Sequence, residues 1–369
     1  MVALLDFSRA SAAELVLWEQ EDKDTQEFLD GLFREFQAAS PGTVVTRVHY
    51  GNEQLRDQFK TAAMGRGGAD VLIAPSDFAG TFSIMGLIAP MERLGEAARL
   101  ERFPANVLDA VRDASGRVWG LPLSKGNHLM LFANRRLIPV IPDTLEGVID
   151  AARGVTKASD KRYGIVYNLT EPFWFASFLG AYGGALTRVS KGVVEPTLDT
   201  EAMRQALSLV HSLKFEHRVT PEDCDYTCAE GLFLESRAGF VINGDWAVPK
   251  YRATFGEDLL IAPLPRLAST NQPMRPFVSG KFLFFNANLE GDKLELAKRF
   301  AEWFLQPEIQ ERLLVKTRRL PSLTSLAESA LVVKDPVLAA TDRALANGLP
   351  MPMAVEMRAV WDAIRPQLQ

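Results

Sequence analysis

The stretch TEPFWF sets one carboxylate, Glu171, beside three rings, Phe173, Trp174 and Phe175. A buried strand would take the rings without the charge, and an exposed loop the charge without the rings. Both together suit a surface that grips something half polar and half apolar. Trp361 and Arg365, four apart on a predicted helix, share one face and pair a ring with a charged donor. Trp246 follows Asn243-Gly244, a dipeptide that reads as a turn.

Other chemistries find less support. His49, His128, His211 and His217 are scattered, and no HExxH cluster brings two of them together, so no metal site is expected. There is no Gly-x-Ser-x-Gly hydrolase signature. MGRGGAD precedes a strand and lacks a Gly-Lys-Ser/Thr, which makes it a turn and not a phosphate loop. A glycosidase needs two carboxylates about 5–9.5 Å apart, and nothing marks a catalytic pair among the acids. Cys224 and Cys228 could share a helix face but have no further ligands nearby. They read as two small, half-buried thiols, and a bridge between them would matter only in an oxidising compartment.

At 369 residues the chain exceeds what one hydrophobic core usually supports, so two domains or lobes are expected. An apolar content of 47% supplies side chains for both cores and gives no sign of extended disorder. The net charge of −5, with Lys and Arg scattered among acids, argues against a nucleic-acid footprint. No run of about 18 apolar residues offers a membrane span. MVALLDFSRASAAEL lacks a basic leading region and carries Asp6 and Arg9 in its apolar stretch, so it is a poor signal peptide as written.

The elements that must position these residues are legible as alternation. ELVLW, TVVTRVHY and ADVLIA read as strands separated by helices, the first with Phe28, Leu29, Leu32, Phe33 and Phe36 on one stripe, the second with Leu55, Phe59 and Ala62. This β-α-β-α-β order predicts an open α/β lobe. Farther on, KRYGIVYNL, RAGFVINGDWAV and RPFVSGKFLFFNAN read as strands, the last crossing between two regions with Gly280 relaxing its backbone. DTEAMRQALSLVHSLKFEH is a long amphipathic helix, and Pro307 divides two later ones. DPVLAATDRALANG is predicted to be capped by Asp335 and closed by Gly348, and a last helix to run from about Val355 to Arg365.

YNLTEPFWFASFLGAYGG, DCDYTCAEGLF, VINGDWAV, KDPVLAATDRALANG and LPMPMAVEMRAVWDAIR, in that order, resemble the bacterial maltose/maltodextrin-binding proteins, solute-binding components of ABC importers. The likeness runs from about Glu14 to Arg365. It implies an α/β, two-lobe periplasmic binding protein fold of type II, with hinge strands joining the lobes around a central cleft. The lobes are expected at 1–124 with 280–320 and at 125–279 with 321–369. Carried over by position, the resemblance implies sugar-binding roles for Asp22, Lys23, Asp57 and Asp77 from the first lobe. From the second it implies Glu171 as hydroxyl acceptor, Phe173, Trp174, Trp246 and Trp361 as ring platforms, and Met351 and Arg365 beside them.

The chain departs from that pattern at several places. Ala74 stands where the family has a tryptophan, Phe78 where it has an arginine, Phe173 and Asp362 where it has tyrosines. The segment around Lys125, Gly126 and Asn127 lacks the hinge glutamate, and Asn52 to Gln54 replace a lysine. The family also continues past the position of Arg365 for another helix or so. With the unusual N-terminus, that leads to the expectation of a trimmed chain or of one tethered or fused to a transport subunit.

These residue types suit a sugar. A pyranose has C–H faces that want flat apolar partners and a hydroxyl rim that wants charged ones. Trp and Phe cover faces at low rotamer cost. Asp22, Asp77 and Glu171 accept, while Lys23 and Arg365 donate. Trp18, Trp119 and Trp303 read as core, and Phe175 as packing behind the platform. The expectation is therefore a periplasmic, monomeric, non-enzymatic protein without cofactor that binds malto-oligosaccharides and docks onto ABC transporter transmembrane subunits. The rivals are a binding protein for trehalose, sucrose or a pectic fragment, a carbohydrate-active enzyme with a paired Asp/Glu, and a purely structural interaction domain.

Overall fold

The computed structural model describes residues 13–190, 193–354 and 356–368. The N-terminal segment with Asp6 and Arg9, and Val355 at the predicted start of the last helix, lie outside the described residues. The chain divides into two compact units, 1–123 with 281–312 and 124–280 with 313–369. It passes from one to the other inside two strands and, the third time, after Arg312 instead of near 320. The reason is local: Leu314 and Leu320 pack with Val332 and Leu338 in a small apolar cluster of the second unit.

In the first unit β1 (Ala13–Glu19), β2 (Thr43–His49) and β3 (Val71–Pro75) are parallel in the order β2-β1-β3. Helices α1 (Lys23–Ala39) and α2 (Asn52–Met64) make the crossovers. All five residues of β3 are buried, the continuous apolar run that a strand covered on both faces requires. The stripe of α1 buries Leu29, Leu32, Phe33 and Phe36, and Phe36 meets Phe300 edge-on at 5.3 Å. Phe28 lies half-buried at the rim of that stripe, and in α2 it is Ala63, not Ala62, that is buried beside Leu55 and Phe59. Trp18 and Trp119 are buried, and Trp303 packs half-buried against Phe36 at 5.2 Å. Residues 281–285 return antiparallel to β3, with Lys281 opposite Pro75 and Phe285 opposite Val71. β4 (Leu121–Gly126) leads the chain out.

The second unit centres on a sheet of β5 (Leu129–Asn134), β6 (Tyr163–Val166), β9 (Ala238–Gly244) and β10 (Leu259–Ala262), in the order β10-β5-β9-β6. β7 (Thr187–Ser190) and β8 (Val193–Pro196) form a separate hairpin. The first four residues of β11 (Phe277–Phe285) belong here, and β12 (Leu320–Pro321) pairs with the end of β4. β13 (Leu349–Pro350) pairs with Phe277 and Val278. A core of Phe132, Phe178, Phe233, Phe240 and Tyr251 fills the space between sheet and helices.

TEPFWF opens a helix, Pro172–Ala181, with Pro172 at the first position where its missing N–H costs nothing. Three local expectations are corrected. Asn243-Gly244 is the end of β9, not a turn. The helix Pro336–Leu345 is capped by Asp335, which accepts from the Val337 and Leu338 amides, but it ends before Gly348. Gly348 is needed instead because a Cβ there would collide with the Val278 side chain. Finally, Cys224 and Cys228 form a disulfide, S–S 2.06 Å, which replaces the two free thiols expected. The last helix, Glu356–Leu368, runs beyond Arg365 through Pro366. No described helix is long and apolar enough to cross a membrane.

Candidate functional site

The second unit gathers its sequence-predicted residues into one continuous cluster. Phe173, on the first turn of the helix Pro172–Ala181, is half-buried and has its ring centre 6.3 Å from both Trp246 and Phe277. Phe277 in turn meets Trp361 edge-on at 5.9 Å. Trp246 and Trp361 are half-buried, so neither is sealed in the core. Trp174 differs. It is 7% exposed, its Nε1 donates to the Ile242 carbonyl at 2.9 Å, and its ring backs Phe173 and Trp246 at 5.6 and 6.2 Å. It supports the platform from the core side, where Phe175 is also buried. Met351 is buried too, its amide held by the Val278 carbonyl at 2.9 Å.

The polar end of the cluster is a fork. Arg365 places Nε and Nη2 at 3.3 and 3.2 Å from the two oxygens of Glu171. Asp362 steadies Arg365 from its own helix at 3.3 Å. The side chains of Arg365 and Glu171 are 31% and 29% exposed, so this pair adds little to stability but presents an oriented donor and acceptor to solvent. Glu171 is the N-cap of its helix yet makes no side-chain cap, which leaves the carboxylate directed at the guanidinium.

Trp246 is aimed by two neighbours. Its Nε1 donates to the Tyr226 hydroxyl at 3.2 Å. Its ring lies so close over Gly244 that a Cβ there would fall on the indole, which is why this strand ends in glycine. Tyr226 packs on Trp174 at 6.2 Å, and its phenol is pushed up to about 12, by burial first and by the Glu230 carboxylate second. Behind Trp246, the Asp245 carboxylate accepts the Asn127 amide at 3.0 Å. His128, fully buried, has Nδ1 3.7 Å from Asp245 and Nε2 3.2 Å from the Thr341 carbonyl. Burial pushes its imidazole below the usual histidine range, against the opposing pull of Asp245, Thr341 and Asp342.

In the first unit the predicted groups sit on helix starts. Asp22 caps α1, accepting from the Thr25 amide at 3.0 Å and its hydroxyl at 2.9 Å, and remains exposed with Lys23. The preceding Glu21 is buried with Lys281 at 3.6 Å, and Glu19 is buried under Arg47 at 2.6 Å, so the turn carrying Asp22 is anchored from below. Asp77 opens helix α3 (Asp77–Ile84) and accepts from Arg56 at 2.5 Å. The Arg56 guanidinium also lies 4.1 Å over the Phe78 ring. Asp57 is exposed on the neighbouring position of α2 and its side chain joins neither pair. α2 therefore brings Arg56, not Asp57, to Asp77.

Sequence reasoning missed Arg56, Tyr226 and Phe277. Arg56 could have been found from its place on the stripe next to Leu55, and Tyr226 from its presence in DCDYTCAEGLF. Phe277 carried no signal, being one more ring in an apolar strand. Among the described residues no three His, Cys, Asp or Glu side chains converge as metal ligands.

A family model described as bacterial extracellular solute-binding protein matches residues 31–340. The maltotriose-binding protein of Pyrococcus abyssi is 22% identical over 364 residues, covering 97% of this chain and 77% of its own. The galactooligosaccharide-binding protein of Bacillus subtilis is 23% identical over 372 residues, covering 98% and 85%. Among solved structures, the maltose/maltodextrin-binding domain MalE from Bdellovibrio bacteriovorus bound to maltotriose matches with a TM-score of 0.90 at 30% identity, over 97% of this chain and 93% of that one.

Proposed function

Because the chain belongs to the family of bacterial extracellular solute-binding proteins, we infer that it binds malto-oligosaccharides and hands them to the membrane subunits of an ABC importer. The observation that carries this reading is the cluster of the second unit: the half-buried rings of Phe173, Trp246 and Trp361 beside the Glu171–Arg365 fork. Rings cover the C–H faces of a glucose unit, while carboxylate and guanidinium read adjacent hydroxyls as acceptor and donor. Within the first unit, Asp22, Lys23 and the Asp77–Arg56 pair are the groups whose chemistry suits sugar hydroxyls, while Met351 and Trp174 act from behind the second unit's surface. Relatives and structures named for maltotriose support a chain of glucose units. No covalent bond need be made or broken.

Micromolar affinity corresponds to about −8 kcal/mol, within reach of two or three stacked rings and a few charged hydrogen bonds. The test is calorimetric titration with maltose, maltotriose, trehalose, sucrose and a galactooligosaccharide. Heat with maltotriose and a loss of more than about 1 kcal/mol in Trp246→Ala and Trp361→Ala are expected. Heat only with another sugar would redirect the assignment, and cleavage products after long incubation would make it an enzyme. We further propose tethering to a transport subunit, for which the one support is that the Bdellovibrio structure is described as a domain. Recovery of the native product free of membranes would end that part.

A further inference from the structure

We propose that the Cys224–Cys228 bridge is a clasp that sets the affinity of the second unit's site. Closed, it holds both sides of the ring cluster, and opened by a dithiol it releases them. The inference rests on the sugar reading above. It starts from what hangs on residues 224–228. The buried Cys224 presents its carbonyl to the Leu169 amide at 2.9 Å, two residues ahead of Glu171. Asp225 caps the helix Tyr226–Leu234 by accepting the Cys228 amide at 2.8 Å. Tyr226, between the bridged residues, accepts from Trp246 at 3.2 Å and donates to Glu230 at 3.3 Å. Lys250 holds Glu230 from the far side at 2.6 Å.

The bridge thus anchors the turn that delivers Glu171 and Phe173 and the hydroxyl that aims Trp246. Closing so short a loop restricts the unfolded chain little compared with a long one, so the bridge acts mainly locally. Cys224 is buried and Cys228 half-buried, so an external thiolate would approach from the Cys228 side. Opening it is thiol–disulfide exchange: one thiolate of the external dithiol attacks, a mixed disulfide forms, and the second thiol displaces it. The protein gains two electrons and two protons as two thiols, and the reductant leaves as its own disulfide.

The experiment compares the full chain oxidised, reduced with dithiothreitol and carrying Cys224→Ser/Cys228→Ser, by maltotriose titration and by tryptophan emission without sugar. Reduction and the double substitution should each lower affinity by about threefold to tenfold, the equivalent of one lost oriented hydrogen bond. Each should also shift the emission of the sugar-free protein, with far-UV dichroism unchanged. Tyr226→Phe should reproduce both effects, and dithiothreitol should have none on the double variant. Equal affinity and equal emission in the oxidised and reduced chain would overturn the proposal. If the oxidised chain bound no malto-oligosaccharide, the sugar reading would fall. The emission comparison would still decide whether the bridge positions Trp246.

Discussion

Gly244→Ala isolates the approach of Trp246 to its own strand. The backbone at Gly244, φ −90° and ψ 168°, is one that alanine adopts freely. On backbone grounds alone the substitution should stabilise by about 0.4–1 kcal/mol, through a less flexible unfolded chain. The new Cβ, however, would lie on the six-membered ring of Trp246. The indole must swing away and lose its hydrogen bond to Tyr226, worth about 0.5–1.5 kcal/mol. It also loses its contacts with Phe173 and Trp174, about 0.5–1.5 kcal/mol each. The net expectation is a destabilisation of about 0.5–4 kcal/mol, centred near 2. With Trp246 displaced, maltotriose affinity should fall at least about tenfold. Urea unfolding and calorimetric titration read the two effects. In a Trp246→Ala background the same glycine substitution should turn neutral or stabilising, because the clash is gone. A single Gly244→Ala variant as stable as the parent would refute the reasoning.

Three further outcomes follow. Glu171→Gln should change stability by less than about 1 kcal/mol, since its partner is partly exposed, while maltotriose affinity drops roughly tenfold in titration. Arg56→Met should keep the packing over Phe78 but lower the melting temperature, because the largely buried Asp77 loses its partner, and should weaken maltotriose binding about threefold to tenfold; unchanged binding would remove the Asp77–Arg56 pair from sugar recognition. His128 is buried with its pKa lowered, so the unfolded chain takes up the proton first as pH falls. Its contribution to stability is therefore full above about pH 6.5 and declines below it, with a slope approaching about 1.4 kcal/mol per pH unit. His128→Gln should flatten that part of a pH series of urea midpoints.

Much of the fold was legible because its signals are local. The stripe of α1, the unbroken apolar run of β3 and the Asp335 cap each follow from residues a turn or a pleat apart. The failures occurred where a residue answers to the folded arrangement around it, whether its partner is near or far in sequence. Gly348 is set by Val278 and Gly244 by the folded-back indole, so neither is the helix stop or turn that its neighbours suggest. Cys224 and Cys228 looked like isolated thiols because only the loop ahead of the helix Tyr226–Leu234 brings their sulfurs together. In the second unit, Trp174 and Trp246 carry the same ring yet occupy different depths.

By itself, then, the order of residues determined the alternation of strands and helices and the types of side chain available for gripping a sugar. Periodicity and composition are properties of short windows, and they survive without knowledge of the rest. Which ring stays open, which carboxylate meets which guanidinium and which helix position faces Asp77 were decided only by tertiary structure. Those choices depend on burial and on contacts across long separations, as between Glu171 and Arg365, and no window of sequence contains both partners.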